Sequence, residues 1–320
     1  MRAIHIDKQK SKAGKTTHMQ LSISKLPTGT LIDVEVKVIQ SKGEGPVVLI
    51  QGGLHGDEIN GIEIVRRLQP LLQDSLVGGT VVLVPVLNVF GFIHFSREVP
   101  DGKDVNRSFP GSARGSLASR IASRYSKKVI PQIDWAIDLH TGGAQRFNYP
   151  QIRYTEGDVI SKTLAEQFAP PFILQSGLIR GSFRKHMHSL GKGVIVYEAG
   201  ESMRFDESVI QMGVDGILRL LKAQGMLAKG TKVPKSKEPP VFLEDSKWLR
   251  APASGMFLPT VKNGQRVQAG DVLGEVVDTY QATGKKIKSP DAGPVFCVNN
   301  QAVVNQGDAL FHLGLEKKKD

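Results

Sequence analysis

A chain of 320 residues with 40% hydrophobic and 23% charged residues has the make-up of an ordinary globular protein, with room for one large domain or two. No apolar run approaches the roughly 20 residues that span a bilayer, and residues 1–20 lack the apolar middle of a secretory signal, so no membrane is expected and the cytoplasm is the expected compartment. Much of the net charge of +11 sits in "KQKSKAGK", "KGTKVPKSKEPP" and "EKKKD" with no aromatic residues interleaved, which predicts a solvated basic surface and no nucleic-acid partner.

Residues 21–40 alternate ("LSISKL", then "TLIDVEVKVIQ" after "PTG") as a β-hairpin does. "GPVVLIQGG" is a continuous apolar run and predicts a strand buried on both faces. "NGIEIVRRLQPLLQD" has helical spacing, with Asp57 or Asn60 available as its cap. "GTVVLVPVLN" predicts a strand, "LASRIASRYSKKVIPQ" a helix, and "DWAIDLHTGG" a strand ending in a polar turn. "GDVISKTLAEQFAP" and "GSFRKHMHSLG" read as helices, "GVIVYEAGE" as strand and turn, and "ESVIQMGVDGILRLLKAQGM" as a long amphipathic helix. This alternation predicts an α/β domain over residues 1–235, a mixed sheet flanked by helices. Cys297 is the single cysteine, which rules out an internal disulfide and suits a reducing compartment.

The Lys- and Pro-rich stretch "KGTKVPKSKEPP" reads as a linker. Beyond it, "SGMFLPTVKNGQRVQAGDVLGEV" and "AGPVFCVNNQAVVNQGDALFHLG" form an internal repeat that aligns Gly255 with Gly293 and Gly270-Asp271 with Gly307-Asp308. Residues 241–320 are therefore expected as a small all-β unit resembling the biotinyl/lipoyl barrel-sandwich domains. Those carriers present a modified lysine at a hairpin tip. Lys285 and Lys286 lack the flanking pattern, so a domain covering the active site is expected rather than a carrier.

Three predicted strand ends carry the same kind of residue. "VVLIQGGLHGDE" delivers His55 and Glu58, "WAIDLHTGG" delivers His140, and "VIVYEAGE" delivers Glu198. In an open α/β sheet ligands bind beyond the carboxyl ends of the strands, so these groups are expected to converge. Two histidines and a carboxylate form a ligand set for catalytic zinc. Gly52, Gly53 and Gly56 free the backbone for a tight turn. The polar stretch "NVFGFIHFSREVPDGKDVNRSFPG" adds Arg97, Asp104, Asn106 and Arg107. "HMH" (His186 and His188) falls on a predicted helix, where residues two apart face different directions, so no second metal is expected there. "AGKTT" lacks the strand and first glycine of a phosphate loop. Asp57, Glu201, Arg180 and Arg184 stand near the site without an assigned role.

The motifs "HGDE" (55–58), "SREVPDGKDVNRSFPG" (96–111), "DLHTGG" (138–143) and "YEAGE" (197–201), in this order, resemble the succinylglutamate desuccinylase/aspartoacylase family, and the terminal β-repeat suits it. The resemblance implies a zinc-carboxypeptidase-like fold and one Zn²⁺ per chain on His55, Glu58 and His140. It implies that Glu198 takes a proton from water and returns it to the leaving amine, and that Arg97 stabilises the oxyanion. Asn106 and Arg107 would hold a substrate carboxylate, and Asp104 would orient a ligand histidine, His55. The implied activity is removal of an N-acyl group from a small amino acid or related amine, with a carboxypeptidase on the same fold and a non-catalytic carrier as rivals. Oligomer formation is left open.

Overall fold

Apolar runs and alternating patterns assemble into one large sheet with helices on both faces. The computed structural model describes residues 2–25, 28–280 and 283–316, so Pro27 of the predicted turn, residues 281–282 of the later hairpin and the basic tail from 317 lie outside the described residues. A two-residue ladder, β1 (His5–Ile6) with β2 (Gln9–Lys10), precedes the hairpin β3 (Lys15–Lys25) and β4 (Leu31–Gln40), which pairs antiparallel. Strand β5 (Gly43–Gln51) feeds α1 (Ile59–Ser75), followed by β6 (Gly78–Val84), α2 (Val89–Ile93), α3 (Leu117–Lys128) and β7 (Trp135–Gly142). Then come β8 (Arg146–Thr155), α4 (Val159–Phe168), β9 (Phe172–Ser176), α5 (Phe183–Ser189), β10 (Gly193–Glu201) and α6 (Glu207–Ala223).

The centre of the sheet is parallel, in the order β6-β5-β7-β10, and antiparallel strands continue it as β4 and β3 on one side and β8 on the other. Both faces are covered. Val48 and Ile50 of β5 pack with α1, α4 and α6, while Leu49 packs with α3 and α5. This is why the strand reads as an unbroken apolar run. Leu68 and Leu72 of α1 are fully buried, and truncating either to alanine should cost about 2–5 kcal/mol. Neither Asp57 nor Asn60 caps α1. Glu58 holds the N-cap position without a capping bond, and Asn60 lies inside the helix, where its Oδ1 accepts from Asp206 N at 3.0 Å. No helix among the described residues is long and apolar enough to cross a membrane.

After the linker, which is fastened to α6 by Arg219 Nη1 on Pro234 O and Lys222 Nζ on Thr231 O, the described residues form strands only. These are β11 (Val241–Arg250), β12 (Gly255–Pro259), β13 (Arg266–Val267), β14 (Val272–Val277), β15 (Gly284–Lys288), β16 (Gly293–Asn299), β17 (Val303–Val304) and β18 (Ala309–Glu316). The repeat has matching geometry. Gly270 and Gly307 take φ of +92° and +91°, and each following aspartate accepts at 2.7 Å from the backbone nitrogen three residues earlier. The halves interlock, since β12 pairs with β17 and β13 with β16. Lys285 and Lys286 lie within β15, opposite Val276 and Glu275, rather than at the hairpin tip.

These strands have an apolar core of their own, yet they are hydrogen-bonded into the main sheet. Strand β11 pairs parallel with β9, and β16 pairs antiparallel with β8. With the pairings β8–β9, β11–β18 and β18–β16, this closes a ring of five strands. Closure covers strand edges that would otherwise offer unpaired backbone groups. Phe172, Leu174, Leu243 and Phe296 form a small buried cluster contributed by three of the five strands, β9, β11 and β16, with Tyr149 of β8 packed against it.

Candidate active site

The sharp turn after β5 depends on two glycines for different reasons. Gly53 adopts a φ of +56°, which a side chain disfavours. At Gly56 the obstacle is contact, because a Cβ there would lie 1.9 Å from the backbone carbon of Gly91 in α2. The turn places His55 and Glu58 beside His140, and all three are buried. Their ligand atoms lie within 4.8 Å of one another. His55 Nδ1 is 2.7 Å from Glu58 Oε1, His140 Nδ1 is 2.8 Å from Glu58 Oε2, and the two Nδ1 atoms are 3.2 Å apart. Thr141 N also donates to Glu58 Oε2 at 3.0 Å.

Both imidazoles turn their far nitrogen to another carboxylate. His140 Nε2 lies 2.9 Å from Asp138 Oδ2, and His55 Nε2 lies 3.3 Å from Asp104 Oδ1, an ion-pair distance without hydrogen-bond alignment. Burial opposes a charge on each histidine, but the carboxylates outweigh it. Glu58 chiefly lifts the pKa of His55, and Asp138 followed by Glu58 lifts that of His140 further. Burial would raise the pKa of Glu58, yet the histidines pull it well below the carboxylate range. With each Nε2 turned outward to a carboxylate, the two Nδ1 atoms face inward with the Glu58 carboxylate, and in the neutral rings they form an all-acceptor set that a cation satisfies. Ligands about 2.0–2.1 Å from a tetrahedral zinc stand roughly 3.3 Å apart, close to the Nδ1 separation. The donor set fits a metal such as zinc.

The loop after β6 delivers the polar residues. Buried Asn88 caps α2 by accepting from Gly91 N and donates to Arg97 O at 3.2 Å, which fastens the loop. Arg97 rests on Asp104 Oδ2 through Nε (3.1 Å) and Nη2 (2.9 Å). Its Nη1 reaches 3.3 Å from His55 Nδ1 and 3.4 Å from Glu58 Oε1. Asp104 also accepts from Asn106 N at 2.6 Å, and its pKa falls below the usual range as His55 and Arg97 overcome the effect of burial. Asn106 Oδ1 accepts from Phe183 N at 2.8 Å, tying this loop to α5, and half-exposed Arg107 donates to Asn106 O at 2.8 Å.

His55, Glu58, His140, Arg97, Asn106 and Arg107 line one cavity of about 230 Å³, together with Glu198, Asn148, Arg153, Arg184 and Trp248; Asp104 lies in an adjoining depression that shares Arg97 and Arg107. Glu198 of β10 sits level with His140 of β7. Asn148 Nδ2 donates to Glu198 Oε2 at 2.9 Å, and Arg153 Nη1 stands 3.9 Å from Oε1. Arg184 is locked by Ser176 Oγ and Gly177 O, and burial lowers its pKa to about 10. His186 stacks on Phe109 while His188 faces Asp158, so the two histidines do not share a site. Glu201 accepts from Asn300 Nδ2 at 2.7 Å, and Asp57 lies beside Glu58 with its pKa raised, by burial first.

Sequence reading missed Asp138, Asn148, Arg153 and Trp248. Asp138 had a signal, since residues two apart on a strand share a face and His140 is two residues on. Asn148 and Arg153 had none, because "RFNYPQIRYT" does not read as a strand.

A cavity at the carboxyl ends of parallel strands, with a buried His–Glu–His donor set, has the position and lining of an enzyme active site. A family model for the succinylglutamate desuccinylase/aspartoacylase catalytic domain matches residues 44–224, more than half of the chain. The chain belongs to this family and is a hydrolase of non-peptide C–N bonds. It is 28% identical over 297 residues to the N-alpha-acetyl-L-2,4-diaminobutyric acid deacetylase of Halomonas elongata, spanning 87% of this chain and 84% of that one. An aspartoacylase family protein from Mesorhizobium loti superposes over 100% of both chains with a TM-score of 0.84 and 26% identity. The product-bound ectoine utilization protein EutE from Ruegeria pomeroyi covers 94% of this chain and 95% of its own with a TM-score of 0.84, and at 21% identity that likeness is one of fold.

Proposed function

We propose that the chain is a zinc-dependent deacylase, on a zinc-carboxypeptidase-like fold, that removes an N-acyl group from an amino acid or related small amine. The observation that carries this reading is the meeting of His55, Glu58 and His140 donors in one buried cluster, with Glu198 in the wall of the same cavity. One zinc per chain on these three residues would lower the pKa of water to roughly 7 and polarise an amide carbonyl.

The protein's own groups divide the remaining work. Glu198 takes a proton from the attacking water and returns it to the departing nitrogen. Arg97 Nη1, held over the donor cluster by Asp104, donates to the carbonyl oxygen as it gains charge. Asn106 and Arg107 hold a substrate carboxylate, and Asp104 and Asp138 orient His55 and His140. A cavity of about 230 Å³ suits a small substrate better than a peptide. Trp248 in its wall supports a covering role for residues 241–320, taken as a unit beside the hydrolase part, 1–235. The likeness to the Halomonas deacetylase supports an N-acyl amino acid as the substrate class.

The test is a panel of N-acetyl and N-succinyl amino acids and diamines, beginning with N-acetyl-L-2,4-diaminobutyrate, incubated with the zinc-loaded protein. Release of free amine from at least one member is expected. Hydrolysis of peptide C-termini without turnover of any N-acyl amino acid would overturn the reading.

A further inference from the structure

We infer that Asn148 is a positioning residue for Glu198, fixing which carboxylate oxygen exchanges the proton, and that strand β16 holds it in place. The inference rests on Glu198 being the proton carrier of the proposed reaction.

The geometry begins with strand register. Strands β8 and β10 run antiparallel with Glu198 opposite Gln151 and Gly200 opposite Asn148. Two residues on β10 therefore face three on β8. In a regular ladder residue 149 would lie opposite Gly200, and Asn148 would point to the face away from Glu198. The extra residue reverses that parity and brings Asn148 round to the face of Glu198. The irregularity coincides with the φ of +78° at Gly200. Strand β16 then closes on the other edge of β8, with Cys297 opposite Asn148 and Asn299 opposite Arg146. Asn148 is thus clamped between a strand of the α/β part and one from the C-terminal repeat, and is buried.

The chemistry follows from what each group can do. An ionised carboxylate only accepts, so the Asn148 amide nitrogen must be the atom facing Oε2, at 2.9 Å. That bond engages Oε2 and pins the carboxylate plane. Oε1, which has no hydrogen bond among the described residues and whose charged neighbour Arg153 Nη1 stands back at 3.9 Å, is then the oxygen placed to receive and return the proton. No group that merely fills the cavity wall would make this distinction, because the effect requires a donor.

The experiment compares wild type with Asn148→Ala, Asn148→Asp and Glu198→Gln, each checked for an unchanged thermal melt and zinc content. Steady-state kinetics use the panel compound that wild type turns over fastest, and crystal structures of wild type and Asn148→Ala locate the Glu198 carboxylate. The alanine variant should lose about 10–100-fold in kcat with KM within about twofold, since a misplaced reacting group costs that order of rate. The aspartate variant keeps the shape but sets a second carboxylate against Glu198, so it should be slower than alanine. Glu198 should leave its wild-type position in the alanine crystal. Aspartate performing as well as wild type while alanine is impaired would reduce Asn148 to a space-filler. An unmoved Glu198, with both Asn148 variants at wild-type kcat, would also overturn the inference. Turnover retained by Glu198→Gln would instead remove the reading of Glu198 on which it stands.

Discussion

Asp138 and His140, two residues apart on β7, meet through Oδ2 and Nε2 at 2.9 Å. The contact continues inward, because Gln51 Nε2 donates to Asp138 Oδ1 at 2.9 Å and Tyr125 Oη donates to Gln51 Oε1 at 2.7 Å. A histidine held from behind by a carboxylate presents its other nitrogen in a fixed direction. Asp138→Asn should weaken zinc binding by about 10–100-fold. Tyr125→Phe, two hydrogen bonds further away, should do less. Competition with a fluorescent chelator measures both, and an unchanged affinity in Asp138→Asn would detach Asp138 from the site.

Arg97 stands within 3.4 Å of the donor cluster while Asp104 carries its weight. An oxyanion exists only in the transition state, so the loss in Arg97→Ala should fall on kcat by roughly a hundredfold or more. A change confined to KM would place Arg97 among the groups that merely bind substrate.

Arg107 is half-exposed at the cavity and donates to its neighbour's carbonyl. If it grips a substrate carboxylate before and during the reaction, Arg107→Ala should mainly raise KM, by about 10–100-fold on the scale of a charged hydrogen bond. Arg107→Lys restores charge without the two-pronged geometry and should recover only part. Equal hydrolysis of an N-acyl amino acid and its carboxamide by wild type would rule out the clamp.

His312 predicts a pH effect on stability. It is buried between Trp248 at 4.0 Å and Phe296 at 4.3 Å, its Nδ1 has no partner, and burial followed by Arg153 pushes its pKa down to about 3. The folded state therefore keeps the ring neutral where the unfolded chain, with a pKa near ~6.5, takes up a proton. Stability from this residue is complete above about pH 6.5 and is lost as pH falls towards 3, by up to ~1.4 kcal/mol per pH unit. His312→Phe should flatten this part of the dependence, as read from urea unfolding at several pH values. Identical slopes in wild type and variant would refute it.

Much of this arrangement is legible in the chain because it is local. His55 and Glu58 share a turn whose glycines announce it, and His140 and Glu198 end apolar runs that can only be buried strands. What the sequence conceals is non-local. Strand β8 carries Pro150, Gln151 and Arg153 among its aromatics and faces a polar cavity, so it lacks apolar alternation. Strand β9 is five residues long. The ring closed by β16 on β8 and β11 on β9 joins segments over a hundred residues and about seventy residues apart in sequence, and periodicity carries no record of such pairings. Asn148 and Arg153 therefore escape notice, whereas Asp138 needs only the two-residue rule for strands.

The central claim is that His55, Glu58 and His140 hold the metal and Glu198 moves the proton. It is tested most directly by measuring zinc per chain in wild type, His55→Ala, His140→Ala and Glu198→Ala by elemental analysis, alongside turnover. Wild type and Glu198→Ala should each hold one zinc, the histidine variants should hold little, and all three variants should be inactive. Full zinc in both histidine variants, or undiminished turnover in Glu198→Ala, would contradict the account.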